Sequence, residues 1–284
     1  MEIREILEVG REKLKSLDGA DPLKESVYIL SKVLGENKIY IFTNLSKWVS
    51  KEEEEVFLGL VEDRKTGKPM AYIFNEKEFM GINFYVDERV LIPRPETEEL
   101  VEFIIGFIEA NYKGENIQVL DIGTGSGAIA LSIGKRFKGI EVLGVDVSKE
   151  ALEVARENLN RLKASNVSFK RSDLFENIGK EEKFSIIVSN PPYIRKDVVR
   201  NLQKDVKDFE PGLALDGGED GLDFYRRIIN RSKNHLEKEG MLLFEIGYDQ
   251  GREVKALMEE EGYKNVQIAK DLQGLDRIVS GLKG

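Results

Sequence analysis

A glycine-rich segment in the middle of the chain has the composition of a cofactor-binding loop. It follows an apolar run and leads into a helical pattern that begins near Ala128. Three alternating glycines let the backbone turn tightly and approach a ligand closely, because no Cβ is in the way. The helix that follows adds backbone donors and the positive end of its dipole. The residues expected to bind the cofactor are Gly123, Thr124, Gly125, Ser126 and Gly127.

Carboxylates near this loop narrow the choice of cofactor. Asp121, at the end of the preceding strand, would face an ammonium or sulfonium charge but would repel a pyrophosphate. Asp146 ends the next strand and can accept hydrogen bonds from two ribose hydroxyls. Asp173 could accept from an adenine amino group, and the Leu174 N–H could donate to a ring nitrogen. The set favours S-adenosyl-L-methionine, while a dinucleotide and a purely structural glycine turn remain the alternatives.

A second candidate motif is the end of the apolar run 186–189, which continues as Asn190-Pro191-Pro192-Tyr193. In a doubly wound sheet these residues lie at the carboxyl edge, beside the cofactor crevice. Prolines fix φ and lack an N–H, so the Asn190 side chain and the Pro191 carbonyl can be held rigidly with free acceptor capacity. A strand-ending turn is the alternative, but the glycine loop upstream favours a functional site.

The elements that must position these motifs alternate regularly. Strands are predicted at 118–121, 141–146, 167–171, 185–189 and 241–246. Helical patterns lie between them, such as 128–136 and 149–163, and another helix is predicted at 98–110. The alternation predicts a doubly wound, Rossmann-like α/β sheet that is mainly parallel. Residues 266–270 and 276–280 predict a closing antiparallel pair.

The N-terminal part of the chain has a different pattern. Short amphipathic helices are predicted up to about Gly67, with Asp21 and Ser50 as N-caps. Residues 72–74 and 83–86 flank Met80-Gly81 and predict a β-hairpin. We therefore expect a helical domain at 1–70, a hairpin linker at 71–89 and a domain that carries both motifs at 90–284.

Composition excludes several classes of function. The 284 residues contain no cysteine and one histidine, which rules out thiolate nucleophiles, iron–sulfur clusters and a His/Cys metal site. Lys and Arg number 43 and Asp and Glu 52, a formal net charge of −9, so stable binding to nucleic acid is not expected. No apolar run approaches the ~20 residues that span a bilayer. We expect a cytoplasmic monomer with no metal and no membrane contact, and a solvated His235 at a helix end.

Taken with both motifs, a longer set of residues resembles the HemK/PrmC family of bacterial release-factor glutamine methyltransferases, which are class I adenosylmethionine-dependent enzymes. The resemblance runs from about Gly67 through most of the chain. Its motifs are Gly67-Lys68-Pro69 with Tyr72-Ile73, Phe79-x-Gly81, residues 90–98, the glycine loop, residues 190–193 and residues 210–222. The chain has Asn75 where the family usually has glycine, and Asn tolerates a left-handed conformation. It also has Leu174 where the family has an aromatic residue.

The resemblance implies a fold, a reaction and a partner. The fold is the class I methyltransferase sheet, with an antiparallel last strand and a small N-terminal helical domain that helps to bind the substrate protein. The substrate is the glutamine of the Gly-Gly-Gln loop in class-1 peptide chain release factors, and the product of the cofactor is S-adenosyl-L-homocysteine. The implied substrate contacts are Asn190, Pro191, Pro192 and Tyr193, and Asn190 is also expected to contact the cofactor. Arg94 could contact substrate or fix the linker.

This reaction predicts a mechanism without a general base before transfer. The amide NH₂ would donate to the Asn190 side-chain oxygen and to the Pro191 carbonyl, while Tyr193 walls the target. Three other functions stay open on the residues alone. They are methylation of amino groups in nucleic acid, a cofactor-binding module without turnover, and a dinucleotide oxidoreductase.

Overall fold

The computed structural model describes residues 1–17, 19–112 and 117–284. Its chain divides into two compact units. The first comprises Met1–Phe74 and Lys204–Phe209, and the second Asn75–Gln203 and Glu210–Gly284. The hexapeptide 204–209 therefore groups with the N-terminal residues, and most of the hairpin segment groups with the sheet. Neither assignment had a signal in the sequence.

The first unit consists of short helices around its own apolar core. They are α1 (Ile3–Leu14), α2 (Pro22–Leu34), α3 (Lys38–Thr43), α4 (Lys51–Lys65) and α5 (Met70–Phe74), joined by Lys204–Phe209, which becomes α10 in chain order. The predicted N-caps are confirmed, because Asp21 accepts from Lys24 N and Ser50 forms a capping box with Glu53. Buried side chains from α1, α2 and α4, among them Ile6, Leu30 and Phe57, fill the core.

The predicted hairpin is present but shorter than expected. Its strands are β1 (Lys77–Phe79) and β2 (Ile82–Phe84), which pair in antiparallel register around Met80-Gly81. The prediction of a strand at 72–74 is wrong, since these residues end α5, where the N–H groups of Tyr72 and Ile73 both donate to Pro69 O. Asn75 follows with φ 52°, the left-handed conformation expected where the family has glycine.

The second unit is built on a seven-stranded sheet. Its strands are β3 (Gln118–Ile122), β4 (Glu141–Asp146), β5 (Val167–Arg171), β6 (Phe184–Ser189), β7 (Leu236–Glu245), β8 (Tyr263–Lys270) and β9 (Asp276–Lys283). They lie in the order β5-β4-β3-β6-β7-β9-β8. The first five strands in this order, β5, β4, β3, β6 and β7, pair in parallel, and β9 is antiparallel to both β7 and β8. The predicted mainly parallel sheet with an antiparallel last strand is confirmed.

Helices cover both faces of this sheet. They are α6 (Pro95–Asn111), α7 (Ala128–Arg136), α8 (Lys149–Leu162), α11 (Asp223–Ser232) and α12 (Gly251–Glu260). The short helix α9 (Lys196–Val199) has no buried residue and follows the segment after β6. Alternate residues of the strands enter separate cores, so that Val119 and Ile186 lie in one and Leu120 and Ile187 in the other. Phe79 and Phe84 of the hairpin belong to the first of these cores.

The prediction of a solvated His235 is wrong. The residue lies between α11 and β7, is 8% exposed, and stacks on Phe175 with ring centroids 5.0 Å apart. Its Nδ1 lies 3.2 Å from Glu182 O, and burial lowers its pKa. Helix α11 ends at Ser232, and the turn that follows it directs the imidazole into the core rather than toward water.

Candidate functional site

The carboxyl edge of the sheet carries the site, and the glycine loop forms part of it. Gly123, Gly125 and Gly127 have φ of 74°, 54° and 81°, which L side chains rarely adopt. The N–H groups of Gly123 and Thr124 both donate to Val145 O and hold the start of the loop to β4. A Cβ on Gly127 would lie 2.8 Å from the Phe169 ring. The loop conformation therefore depends on glycine.

Asp146 fixes this loop from the neighbouring strand. Its Oδ2 accepts from Gly125 N at 3.0 Å, and its Oδ1 accepts from Ser148 N at 2.9 Å. Burial raises the pKa of Asp146, and the backbone hydrogen bonds oppose that change. Gly123, Gly125 and Asp146 line one cavity, so the carboxylate is presented to it in a fixed orientation.

The remaining predicted loop residues lie beneath the cavity surface. Asp121 is fully buried and accepts a 2.6 Å hydrogen bond from the Thr124 hydroxyl at Oδ2. Within the described residues its Oδ1 has no partner, and burial raises the pKa of Asp121 to about 7. Ser126 is also buried, and its carbonyl accepts from Asn158 Nδ2 at 2.9 Å. Asp121 and Thr124 therefore support the loop from below.

The expected adenine end of the cavity contains Asp173 and Leu174. Leu174 has φ 50°, and Asp173 Oδ1 accepts from Arg227 at 2.8 Å. Sequence reasoning missed Phe224, an aromatic residue of α11 that lines the same cavity and lies 5.6 Å from the Arg227 guanidinium. No motif marks Phe224, because it reaches the cavity from a helix about 50 residues away from Asp173 along the chain.

Asn190, Pro191 and Pro192 line this cavity as well, directly after β6. The two predicted motifs therefore meet in one site. Asn190 Nδ2 donates to Thr97 Oγ1 of α6 at 3.1 Å, a contact that nothing in the sequence indicated. Tyr193 is not among the lining residues of the cavity in the described part of the chain; it is partly buried and packs against the core, and burial raises its pKa to about 12.

The segment 215–222 supports the Asn-Pro-Pro-Tyr motif by close contact. Gly217 N donates to Ile194 O at 2.8 Å, and Gln250 Nε2 donates to Tyr193 O at 3.0 Å. A Cβ on Gly217 would lie 2.8 Å from Pro192 O and from Tyr193 Cα. Only glycine allows the two backbones to approach this closely.

Arg94 is paired within the protein. Its guanidinium donates to Glu210 Oε1, and Glu210 Oε2 accepts from Ile92 N at 3.3 Å. The Glu210 side chain is 1% exposed, whereas that of Arg94 is 34% exposed. Arg94 is not among the residues that line the cavity within the described part of the chain. These contacts tie the segments around residues 92 and 210 together.

The described residues contain neither a metal-binding cluster nor a membrane-spanning helix. Across 1–17, 19–112 and 117–284, no cluster of three or more His, Asp or Glu side chains has the arrangement needed to hold a metal ion. In the same ranges, no helix has the length and apolar character needed to cross a membrane.

Comparison with known families gives two matches. The model of the methyltransferase small domain matches residues 102–206. The model of the PrmC N-terminal domain matches residues 5–74. The first match lies mainly in the second unit, and the second match lies in the first unit.

Individual relatives match over the whole length. A release factor glutamine methyltransferase of Clostridium acetobutylicum is 42% identical over 287 aligned positions, covering 100% of this chain and 99% of the relative. A protein of the same name from Bacillus cereus is 40% identical, over 88% of this chain and 89% of the relative. The crystal structure of a Pyrococcus furiosus methyltransferase covers 73% of this chain and 92% of its own, with a TM-score of 0.53 and 22% identity. This last likeness bears on the fold alone and agrees with the class I sheet described above.

Proposed function

The chain belongs to the family of release factor glutamine methyltransferases, and we propose its function from that premise. It transfers a methyl group from S-adenosyl-L-methionine to the side-chain amide nitrogen, N5, of a glutamine in its substrate protein. That glutamine belongs to the Gly-Gly-Gln motif of class-1 peptide chain release factors. The observation that carries the proposal is the single cavity at the carboxyl edge of the sheet, lined by the glycine loop, Asp146 and Asn190 together.

The residues of this cavity fit S-adenosyl-L-methionine. Asp146 is fixed as a hydrogen-bond acceptor for the ribose hydroxyls, and Gly123 and Gly125 leave room beside it. The buried Asp121 carboxyl, with Oδ1 unpartnered among the described residues, lies under the loop as the counter-charge for an ammonium group. Asp173, the Leu174 N–H and the Phe224 ring are the candidates for adenine. When bound, the cofactor supplies an electrophilic methyl carbon, which takes the amide lone pair as its C–S bond breaks and the thioether S-adenosyl-L-homocysteine remains.

The protein must supply geometry, because a glutamine amide nitrogen is a poor nucleophile whose lone pair is delocalised into the carbonyl. Asn190 Oδ1 and the Pro191 carbonyl accept one hydrogen bond each from the target NH₂. The two acceptors hold the nitrogen and aim its lone pair at the methyl group, so that proximity and orientation supply most of the rate. No base is needed before transfer, and the methylated nitrogen then loses its extra proton to solvent.

The partner is a protein, and the wider setting follows from it. The net charge of −9 disfavours a stable complex with nucleic acid. We place the enzyme in the cytoplasm, where release factors act, as a monomer that makes no membrane contact. The helical unit, residues 1–74, contributes to binding of the release factor.

Methyl transfer to a purified class-1 release factor tests the proposal. Labelled S-adenosyl-L-methionine is incubated with the enzyme and the release factor, beside a release factor whose Gly-Gly-Gln glutamine is replaced by alanine. Label on the first protein alone is the expected result. If neither protein is labelled although the cofactor binds, the assigned target is wrong and the enzyme acts elsewhere. Label on both proteins would move the reaction to a different residue.

A further inference from the structure

A buried side-chain network stands behind Asn190. The Asn190 amide nitrogen donates to Thr97 Oγ1 at 3.1 Å. Glu245, the last residue of β7, is 1% exposed and follows Phe244, which pairs with Ser189 in the parallel β6–β7 register, so that it lies beside Asn190. The polar groups of Thr97 and Asn190 favour its charged form. The network thus joins α6, the end of β6 and the end of β7, three segments that are distant in sequence.

We infer that Thr97 and Glu245 are positioning residues that hold the Asn190 amide with Nδ2 toward the protein and Oδ1 toward the cavity. The two ends of an asparagine amide have nearly the same shape, so sterics alone do not choose between them. Hydrogen-bond partners make the choice. A carboxylate only accepts hydrogen bonds, and it therefore selects the Nδ2 end of Asn190.

This orientation matters for the reaction, and the inference rests on the proposed function in that respect. The target is an NH₂ group, which needs acceptors. With Oδ1 in the cavity, Asn190 offers one. After a half-turn of the amide, two NH₂ groups would oppose each other, and the buried Glu245 carboxylate would face an oxygen atom at a large cost.

The surroundings of Glu245 determine when it can play this role. Thr97 and Glu96 face it from α6, Asn190 and Tyr193 from the segment after β6, and Arg277 from β9. Arg277 is already paired with Asp271 at 3.0 Å, and the Tyr225 hydroxyl donates to the main-chain oxygen of Glu245 rather than to its carboxylate. Within the described residues, Glu245 Oε2 has no hydrogen-bond partner.

Burial raises the pKa of Glu245 to about 7, while Thr97, Arg277 and Asn190 oppose that change and Glu96 adds to it. A protonated Glu245 is a donor as well as an acceptor, so it no longer selects the Nδ2 end of Asn190. Turnover should therefore rise with pH as Glu245 ionises near pH 7, and Glu245→Gln should remove this acid limb.

Thr97→Val and Thr97→Ser form a matched pair for the first test. Valine keeps the shape of the side chain and removes the hydroxyl, whereas serine keeps the hydroxyl. Thr97→Val should lower kcat by about tenfold with the dissociation constant of S-adenosyl-L-methionine within about twofold, and Thr97→Ser should recover most of the loss. Equal kcat for valine and serine variants would overturn the positioning role, as would parallel losses of kcat and thermal stability in both.

A spectroscopic titration gives a second readout that does not need catalysis. The side-chain ¹H–¹⁵N resonances of Asn190, assigned by their loss in Asn190→Ala, are followed from pH 5.5 to 8.5 in the protein without ligand. They should shift with a midpoint near pH 7 in the wild type and stay constant in Glu245→Gln. Resonances that titrate equally in both proteins would contradict the inference. This titration needs no release factor. A wild type that fails to methylate a release factor would therefore contradict the proposed function, whereas the orientation of Asn190 would still be tested by the titration alone.

Discussion

The two sides of the cavity are held by different kinds of contact. On the cofactor side, the backbone of the glycine loop and the Asp146 carboxylate hold each other through bonds to Gly125 N and Ser148 N. On the amide side, Asn190 donates to Thr97, 93 positions earlier in the chain, and lies beside Glu245 at the end of β7. The first arrangement depends on two adjacent strands. The second depends on the packing of α6 and β7 against the end of β6.

This difference separates two functions within one cavity. The glycine loop and Asp146 are held by contacts between two adjacent strands and line the part of the cavity proposed for the cofactor, so substitutions there should act mainly on cofactor affinity. The side chains around Asn190 orient its amide group. This orientation should affect kcat for methyl transfer rather than the binding of the cofactor. Substitutions on the two sides should therefore change different kinetic constants.

The largest expected effect is on turnover. Asn190→Ala removes the side-chain acceptor for the target NH₂ and should lower kcat by roughly a thousandfold, because orientation of a weak nucleophile supplies much of the rate. The dissociation constant of S-adenosyl-L-methionine should change by about twofold or less. Stopped-time methylation assays and calorimetric titration measure the two quantities separately.

Asn190→Asp is the matched control, since it keeps the shape and an acceptor but loses the donor toward Thr97 and places a second acid beside Glu245. It should retain less activity than the wild type at neutral pH. Unchanged turnover in Asn190→Ala would show that Asn190 has no role in the reaction. If cofactor affinity fell as much as kcat, the proposed separation between the cofactor side and the amide side would be wrong.

A smaller effect is expected on the cofactor side. Asp146→Ala removes the two backbone hydrogen bonds that orient this carboxylate and the acceptor for the ribose. At ~1.5–3 kcal/mol for a hydrogen bond to a charged group, the cofactor dissociation constant should rise roughly a hundredfold. At saturating cofactor, kcat should lie within a few-fold of the wild type.

The separation fails if Asp146→Ala lowers kcat at saturation as strongly as Asn190→Ala does. Ser148→Ala serves as the control, because the Ser148 N–H that binds Asp146 is retained while its hydroxyl, which caps α8 through Ala151 N, is lost. Its cofactor affinity should stay near that of the wild type.

The same contrast explains what the sequence could predict. The glycine loop and Asp146 could be identified from the residues alone, because a strand, a turn and a helix N-terminus are local features. For the same reason, α7 and the strands β3 to β6 were predicted to within one residue of their ends, whereas β7 begins five residues earlier than predicted. The motif Asn190–Tyr193 could be placed at the sheet edge, but its supports could not, since Thr97, Glu245 and Gly217 reach it through tertiary packing.

Errors in the sequence interpretation have a common cause. Residues 72–74 are apolar and β-prone, yet the N–H groups of Tyr72 and Ile73 donate to Pro69 O at the start of the short helix α5. His235 carries a polar ring at a helix end, yet the turn after α11 buries it against Phe175. Phe224 supplies an aromatic surface from α11 where Leu174 lacks one. In each case, hydrogen bonding or packing that the residue pattern does not show overrode the preference of the individual residues.

The smallest expected effect is on the pH dependence of cofactor affinity and concerns Asp121, the buried carboxyl next to the glycine loop. In the protein without ligand, burial raises its pKa to about 7, and Asp146 adds to the shift. An ammonium group above the loop favours the carboxylate, so binding and ionisation are coupled. The affinity for S-adenosyl-L-methionine should therefore rise by up to about tenfold between pH 6 and pH 8. Asp121→Asn should flatten this dependence.

The pH dependence of stability without cofactor serves as a control, because ionisation of Asp121 should change stability in opposite directions with and without the cofactor. Without cofactor, a carboxyl whose pKa is raised from 3.8 to about 7 contributes stability that is fully present below pH 4 and is lost as the pH rises through 7. Chemical denaturation should thus show that the free energy of unfolding of the wild type falls relative to that of Asp121→Asn over this pH range. With the cofactor bound, the free energy of unfolding of the wild type should instead rise with pH, and that of Asp121→Asn should not. Methylthioadenosine has no ammonium group, so its affinity should not depend on Asp121. If its affinity follows pH as that of S-adenosyl-L-methionine does, Asp121 is a buried support of the loop and not the counter-charge of the ligand.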